Sequence, residues 1–430
     1  MAGIEKKDVL IIISLFSVAF LIRAVGVSNV CIYGDEWIYW IETNRILASN
    51  FAPRADVFDY SPPFLQYIGA GVTSLFGGDL NTLRMISVIF GSLTVPMLYL
   101  FGKAMYDRKT GLLAALFLCF STYYCLYSRI YMLEALTLFF ITTFLYFFWL
   151  SQRSEGRKSI IYATIAGAMM GLAIDAKYIS FFLIPVVLAY VLWTKRFSFK
   201  ALMDKRIILI FIFAFLFFLP LIICLYSTGV GFHGIYYYGI KQFEQKSTLT
   251  IRPVEAFSAG ELLIRGVKKI LVVLTSDTET LIPTMTVFFK FSAISLFLIT
   301  HFSYLHNFIR FEKRGSFFII SSLTLSVLIL VSARQLHYLI YLLPFYFVML
   351  SHVAVKSLDS LRREDSYKNI FRIFIISLTV IVLFSSFITG VTSPYCNEGE
   401  YSWITIGVEY IKNDVAKSSY EGPIVVGSFM

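Results

Sequence analysis

Apolar runs long enough to cross a bilayer recur along this 430-residue chain, and no other feature narrows its fold as sharply. A helix needs about 20 mostly apolar residues to cross a hydrocarbon core of about 30 Å. Runs of that kind read as helices at 9–22, 83–102, 111–127, 132–150, 159–175, 178–194, 207–226, 281–305, 316–333, 338–355 and 371–390. That makes about eleven spans. Composition agrees: 58% of the residues are hydrophobic and only 15% charged, where a soluble domain carries roughly a quarter charged. The fold class is therefore an all-α polytopic membrane protein. Lys6 and Lys7 precede the first run and Arg23 closes it with no small-residue cleavage site, so it reads as a signal anchor.

The five cysteines (Cys31, Cys119, Cys125, Cys224 and Cys396) form no CxxC pair, and the five histidines are scattered. This pattern argues against a disulfide framework or a zinc site, and no metal or other cofactor is expected.

Basic residues orient the spans. With the N-terminus in the cytoplasm, six short inner segments hold Lys6 and Lys7; Lys103, Arg108 and Lys109; Arg153, Arg157 and Lys158; Lys195, Arg196, Lys200, Lys205 and Arg206; Arg310, Lys313 and Arg314; and Lys356, Arg362, Arg363, Lys368 and Arg372. They account for more than half of the 37 Lys and Arg. This is the positive-inside pattern. The net charge of +10 is then mostly a topology signal and calls for no nucleic-acid partner.

That topology places two long loops, 28–82 and 227–280, and the tail after Gly390 on the outer face. Asp35 and Glu36 open the first loop, directly after the first span. Acids at that depth either mark the watery end of a helix or serve a function, the default reading for charge near a membrane core. Large residues at helical spacing (Trp37, Trp40, Ile41, Ile46, Leu47) predict a helix over 35–49 that stops at Asn50. Pro62-Pro63 opens a second helix over 64–76, and Gly77-Gly78 ends it. Both helices are amphipathic enough to lie along the interface. The second loop carries Tyr236, Tyr237 and Tyr238 and a basic stretch, and reads as a lid or as an aromatic belt. In the tail, 398–412 reads as a helix and 423–427 as a strand. The expected organisation is a transmembrane domain over 1–390 followed by a small outer α/β segment over 391–430.

Further charges recur at the outer ends of spans: Arg23, Arg129 with Glu134, Asp175, Lys177 and Arg334. Each alone could be a snorkelling side chain. Together they gather cations and carboxylates on the side of Asp35. Such an arrangement suits a lipid phosphate donor, with cations holding the phosphate and a carboxylate deprotonating an acceptor hydroxyl.

The order of these motifs resembles the GT-C superfamily of polyprenyl-phosphate-sugar-dependent glycosyltransferases, and within it the protein O-mannosyltransferase and aminoarabinose-transferase group. The resemblance rests on Asp35-Glu36 with Tyr39, on Tyr127-Ser128-Arg129 with Glu134, on Gly171 to Lys177, and on the run Leu336-His337-Tyr338 to Pro344. It covers most of 1–390. It implies transfer of a single sugar, with inversion, from a dolichyl or undecaprenyl phosphate donor to a protein, lipid or glycan acceptor, at the extracytoplasmic face of the plasma membrane. It further implies Asp35 as the base or acceptor-orienting carboxylate, with Glu36 as its partner. Arg129, Lys177 and Arg334 would hold the carrier phosphate. Tyr39, Asp59, Tyr60, Glu134, His337 and Tyr338 would line the substrate site.

One departure narrows the resemblance. Where the aminoarabinose-transferase branch carries Glu-Lys-Pro, this chain reads Asp59-Tyr60-Ser61-Pro62-Pro63 and offers no lysine. The Trp-Trp-Asp-Tyr-Gly signature of oligosaccharyltransferases is also missing. A lipid-linked sugar transporter or flippase is the alternative reading, but it should show internal repeats and interrupted helices at the midplane. A non-catalytic scaffold subunit is a third reading, in which Asp35 would be dispensable.

Overall fold

The computed structural model describes residues 5–30, 34–58, 61–231, 283–332, 336–361 and 366–392, and among these no strand occurs. The helices in chain order are α1 (Lys6–Ala24), α2 (Gly34–Ala48), α3 (Ala55–Phe58), α4 (Phe64–Phe76), α5 (Leu80–Met105), α6 (Arg108–Phe120), α7 (Thr122–Tyr127) and α8 (Leu133–Arg153). They continue with α9 (Gly156–Ala176), α10 (Leu183–Thr194), α11 (Lys205–Ser227), α12 (Pro283–Ile309), α13 (Lys313–Ser332), α14 (Leu343–Ser360) and α15 (Ser366–Thr392). Short 3-10 turns lie at Val27–Asn29, Tyr178–Phe182, Phe199–Met203 and Leu336–Leu342.

Seven helical stretches are long and apolar enough to cross a membrane: Lys6–Asn29, Leu80–Met105, Leu133–Arg153, Gly156–Ala176, Lys205–Ser227, Tyr338–Ser360 and Asn369–Phe387. The chain is an integral membrane protein. One of the expected spans is broken and two others begin irregularly. Ser121 splits 111–127 into α6 and α7, its hydroxyl accepting from the Tyr124 amide to start the second helix. The runs at 178–194 and 338–355 each enter through a 3-10 turn. Hydropathy alone does not register such breaks, because the apolar character runs straight through them. The second outer loop from 232 on, and the tail from 393 with its expected strand, lie outside the described residues.

Capping residues start the helices. Asp79 accepts from the Thr82 amide at 2.8 Å before α5, and Asp107 from the Thr110 amide at 2.9 Å before α6. A carboxylate there satisfies an orphan amide of the first turn. The first outer loop folds as its punctuation predicts. Asn50 and Phe51 take left-handed backbone (φ 51° and 64°) after α2, and Gly77 (φ 92°) follows α4.

Helix α8 is central, packed between α5 and α9, while α9 packs on α11. The most apolar window of α8 is 78% buried and that of α11 only 28%, so α11 turns most of its surface to lipid. The α9–α11 contact depends on glycine. A Cβ at Gly167 would lie 2.5 Å from the Ile210 carbonyl oxygen, and one at Gly171 2.5 Å from that of Ala214. Small residues let membrane helices approach backbone to backbone. Gly171, which opens the motif ending at Lys177, is therefore a packing residue.

At the end of the bundle formed by the start of α1, the end of α5 and the start of α6, the buried Asp8 ties three helices together. It accepts from Tyr99 Oη at 2.5 Å, Lys103 Nζ at 2.5 Å and Arg108 Nε at 3.0 Å. Removing one member of a buried charge network costs about 3–5 kcal/mol. Asp8→Asn is accordingly expected to cost about 3 kcal/mol, read as a lower unfolding midpoint in detergent. An unchanged midpoint would show that the network contributes nothing net.

Candidate active site

At the opposite end, α2 is locked by its first turn. Glu36, fully buried, receives Arg84 of α5 in a two-pronged pair: Nε to Oε1 at 2.7 Å and Nη2 to Oε2 at 2.8 Å. The remaining guanidinium nitrogen, Nη1, donates to the carbonyls of Val27 (3.0 Å) and Val30 (2.9 Å). Glu36 Oε1 also accepts the Tyr131 backbone amide at 2.7 Å. The Glu36–Arg84 pair thus ties α2 to α5, to the turn after α1 and to the turn that leads into α8.

Tyr131 extends the connection. Its hydroxyl lies 3.0 Å from both Thr43 Oγ1 on α2 and the Leu65 carbonyl on α4. A Cβ at Gly69 would fall 2.1 Å from that hydroxyl, so α4 admits the ring only because position 69 is glycine. A second buried contact, Gln66 Nε2 to Glu42 Oε2 at 2.6 Å, joins α4 to α2.

Successive residues of an α-helix point about 100° apart. With Glu36 committed to Arg84, its neighbour Asp35 is turned elsewhere and is only half-buried. The two acids that look equivalent in sequence thus occupy different environments. Tyr39, one turn further on, is buried in the core, and its carbonyl accepts from Thr43 Oγ1 at 2.7 Å.

Three residues after Tyr131, Glu134 sits in the first turn of α8 and pairs with Lys177, which caps the C-terminus of α9. Both are buried. Burial pushes the Lys177 ammonium toward neutrality, but the Glu134 carboxylate outweighs it and holds the group well above the ordinary lysine value. Lys177 Nζ also lies 4.7 Å from the centre of the Tyr338 ring, a cation–π distance. Two residues back, Asp175 is buried in the last turn of α9, and its Oδ1 accepts no hydrogen bond among the described residues.

Arg129 is buried and donates to the Ile22 carbonyl at the end of α1. Arg23 is fully buried and donates to the carbonyls of Leu118 (3.3 Å) and Cys119 (3.4 Å), capping the C-terminus of α6. Cations there offset the helix dipole and the orphan carbonyls. The structure therefore brings Asp35, Glu36, Tyr39, Glu134, Lys177 and Tyr338 to one end of the bundle. It seats Arg129 against the end of α1. Asp59, Tyr60 and Arg334 lie outside the described residues, and of His337 only the backbone is described, in the 3-10 turn before α14.

Arg84, Tyr131 and the Glu42–Gln66 pair did not stand out in the sequence. Arg84 carried a usable signal, because a cation at the start of an apolar run requires a partner. Tyr131 carried none, since its role depends on a backbone amide and on Gly69.

Residues 60–224 match the sequence model of the dolichyl-phosphate-mannose-protein mannosyltransferase family. The fold as a whole is similar to that of ArnT from Cupriavidus metallidurans, with a TM-score of 0.64 over 97% of this chain and 81% of that one, at 13% identity. The chain shares the ArnT fold. The same ArnT bound to undecaprenyl phosphate gives a TM-score of 0.62 at 13% identity, over 94% of this chain and 79% of that one. The oligosaccharyltransferase AglB from Archaeoglobus fulgidus, in complex with an inhibitory peptide and a dolichol-phosphate, gives 0.57 at 16% identity. The alignment covers 97% of this chain but only 60% of AglB. No curated protein sequence matches the chain. The family-matched stretch contains Arg129, Glu134 and Lys177, whereas Asp35 and Glu36 precede it.

Proposed function

We propose that this protein is a glycosyltransferase that moves a single sugar, with inversion, from a polyprenyl phosphate-linked donor to an acceptor hydroxyl at the extracytoplasmic face of the plasma membrane. The observation that carries this reading is the division of labour at one end of the bundle. A half-buried acid, Asp35, is oriented by the buried Glu36–Arg84 pair, while a buried ammonium, Lys177, stands at the end of α9 on the same side. The family description, which names a dolichyl-phosphate-mannose donor, and the lipid phosphates bound in the ArnT and AglB structures support the donor class.

Asp35 takes the proton of the acceptor hydroxyl as its oxygen attacks the anomeric carbon. The bond from that carbon to the phosphate oxygen breaks on the opposite face, which inverts the centre and releases polyprenyl phosphate. Lys177 holds the departing phosphate's charge, assisted by Arg129 and Arg334, and so lowers the barrier to its departure. Asp175, whose Oδ1 has no hydrogen bond among the described residues, accepts from a substrate hydroxyl. Glu134 keeps Lys177 charged and in place between turnovers.

The test is transfer of radiolabelled sugar from a polyprenyl-phosphate sugar by the full chain in detergent. Uptake of the lipid-linked sugar into vesicles without transfer would replace this reading with the transporter. Within the assay, Lys177→Met is expected to raise the donor KM about ten- to a hundredfold, as for loss of a charge-assisted hydrogen bond, and to leave the acceptor KM unchanged. A Lys177→Met/Glu134→Gln double variant, which no longer buries a lone carboxylate, should keep the raised donor KM. A donor KM equal to that of the wild type would remove Lys177 from the phosphate site.

A further inference from the structure

Helix α8 runs from Leu133 to Arg153 and α9 returns from Gly156 to Ala176, with Glu134 and Asp175 at their near ends, so Gln152 and Gly156 lie at the far end of the bundle from the candidate active site. A cavity of about 410 Å³ opens at that far end. The end of α8, the end of α10, the turn Phe199–Met203 and the start of α11 enclose it, with Gln152, Lys195, Ser198, Lys200, Asp204 and Arg206 on its wall. This is the size range of small-ligand pockets.

Its charge is unbalanced. Asp204 is already bound by Arg206, through Nε at 2.9 Å and through Nη2, while Arg206 Nη1 donates to the Ser151 carbonyl at 3.3 Å. That pair is neutral as a unit. Lys195 and Lys200 are exposed, and neither is held in a salt bridge among the described residues. Two positive charges are left on the wall, with the Ser198 hydroxyl between them in sequence. The cavity therefore selects an anion.

Its rim is apolar. Phe197, Phe199 and Met203 are 59%, 74% and 73% exposed, and the adjoining α11 presents Ile208, Ile212 and Phe215 outward. Large apolar side chains this exposed, beside a helix that faces lipid, place the mouth of the cavity at the edge of the hydrocarbon layer. A free anion arriving from water would use only the charged wall, whereas a phospholipid engages both parts. Its phosphate meets the ammonium groups, and its acyl chains lie along Phe199, Met203 and α11. This is also the end whose loops carry the excess of basic residues, the cytoplasmic side by the positive-inside rule, where anionic lipids attract basic clusters.

We infer that this cavity binds the phosphate headgroup of an anionic phospholipid of the cytoplasmic leaflet, held by Lys195 and Lys200. The site is separate from the donor site and independent of the proposed activity. The test titrates the full-length protein in detergent with phosphatidylglycerol, phosphatidylcholine or inorganic phosphate. It follows the unfolding temperature and the lipid retained in native mass spectrometry.

Phosphatidylglycerol alone should raise the unfolding temperature and remain bound. Lys195→Gln/Lys200→Gln should weaken it on the order of thirtyfold, from about 1 kcal/mol per charge. Arg157→Gln/Lys158→Gln, which removes two exposed charges from the same end but outside the cavity, should change it less than twofold. Equal protection by phosphatidylcholine or by inorganic phosphate would overturn the assignment to an anionic lipid. Full affinity in the Lys195/Lys200 variant, or an equal loss in the control variant, would overturn the site.

Discussion

Asp35→Asn should lower the turnover of sugar transfer about a thousandfold, the middle of the range for loss of a general base, while the protein still folds. Asparagine keeps the size of the side chain and can still hydrogen-bond an acceptor hydroxyl, but it cannot take the proton. A substantial fall in kcat with a nearly unchanged donor KM is therefore the signature of a base rather than of a binding group. The folding cost should be small. Asp35 is half-buried in the first turn of α2, where an acid contributes about 0.3–1 kcal/mol through the helix dipole. The unfolding temperature should thus move by a few degrees at most. Transfer at near wild-type turnover in this variant would end the assignment of Asp35 as base and reopen the scaffold reading.

Arg84→Met should have the largest effect on folding of any substitution at this end of the bundle. It leaves Glu36 buried without its cation and strips the Val27 and Val30 carbonyls of their donor. Breaking a buried pair from one side costs about 3–5 kcal/mol. Arg84→Lys should recover little of it, since an ammonium cannot reproduce the two parallel bonds to Glu36 and the two carbonyl contacts together. Pairing Arg84→Met with Glu36→Leu should restore much of the stability, because the lone buried charge is gone.

Activity should not return with stability in that double variant. Glu36 also accepts the Tyr131 amide, and without it the rotation of α2 that aims Asp35 is no longer fixed. Unfolding midpoints and transfer rates across the four-member cycle measure both effects. A double variant that is both stable and fully active would show that the pair positions nothing. A single Arg84→Met variant with an unchanged midpoint would show that it stabilises nothing either.

Much of the architecture was legible because it rests on local chemistry. The helices at 34–48 and 64–76 follow from the spacing of large apolar residues, the left-handed stop at Asn50, and the Pro-Pro and Gly-Gly pairs around α4. Asp35 stood out because two acids beside a membrane span are costly. Lys177 and Glu134 each stood out as charges at helix ends, but nothing in their 43-residue separation said that they meet.

The sequence by itself determined that this is a helical membrane protein, where the two helices of its first outer loop begin and end, and which charged residues gather at helix ends. Hydropathy, capping and turn chemistry act over a few residues, so a linear reading captures them. Only the tertiary structure decided how the charges divide. Glu36 goes to Arg84 and Tyr131, Glu134 to Lys177, and Asp35 stays half-buried beside its committed neighbour. It likewise decided that Arg23 caps α6 rather than joining the site, and that Lys195 and Lys200 line a cavity. Those outcomes depend on which helix end meets which across the bundle. That meeting is set by close approaches that only glycine admits: the Tyr131 ring at Gly69 and helix backbone at Gly167 and Gly171.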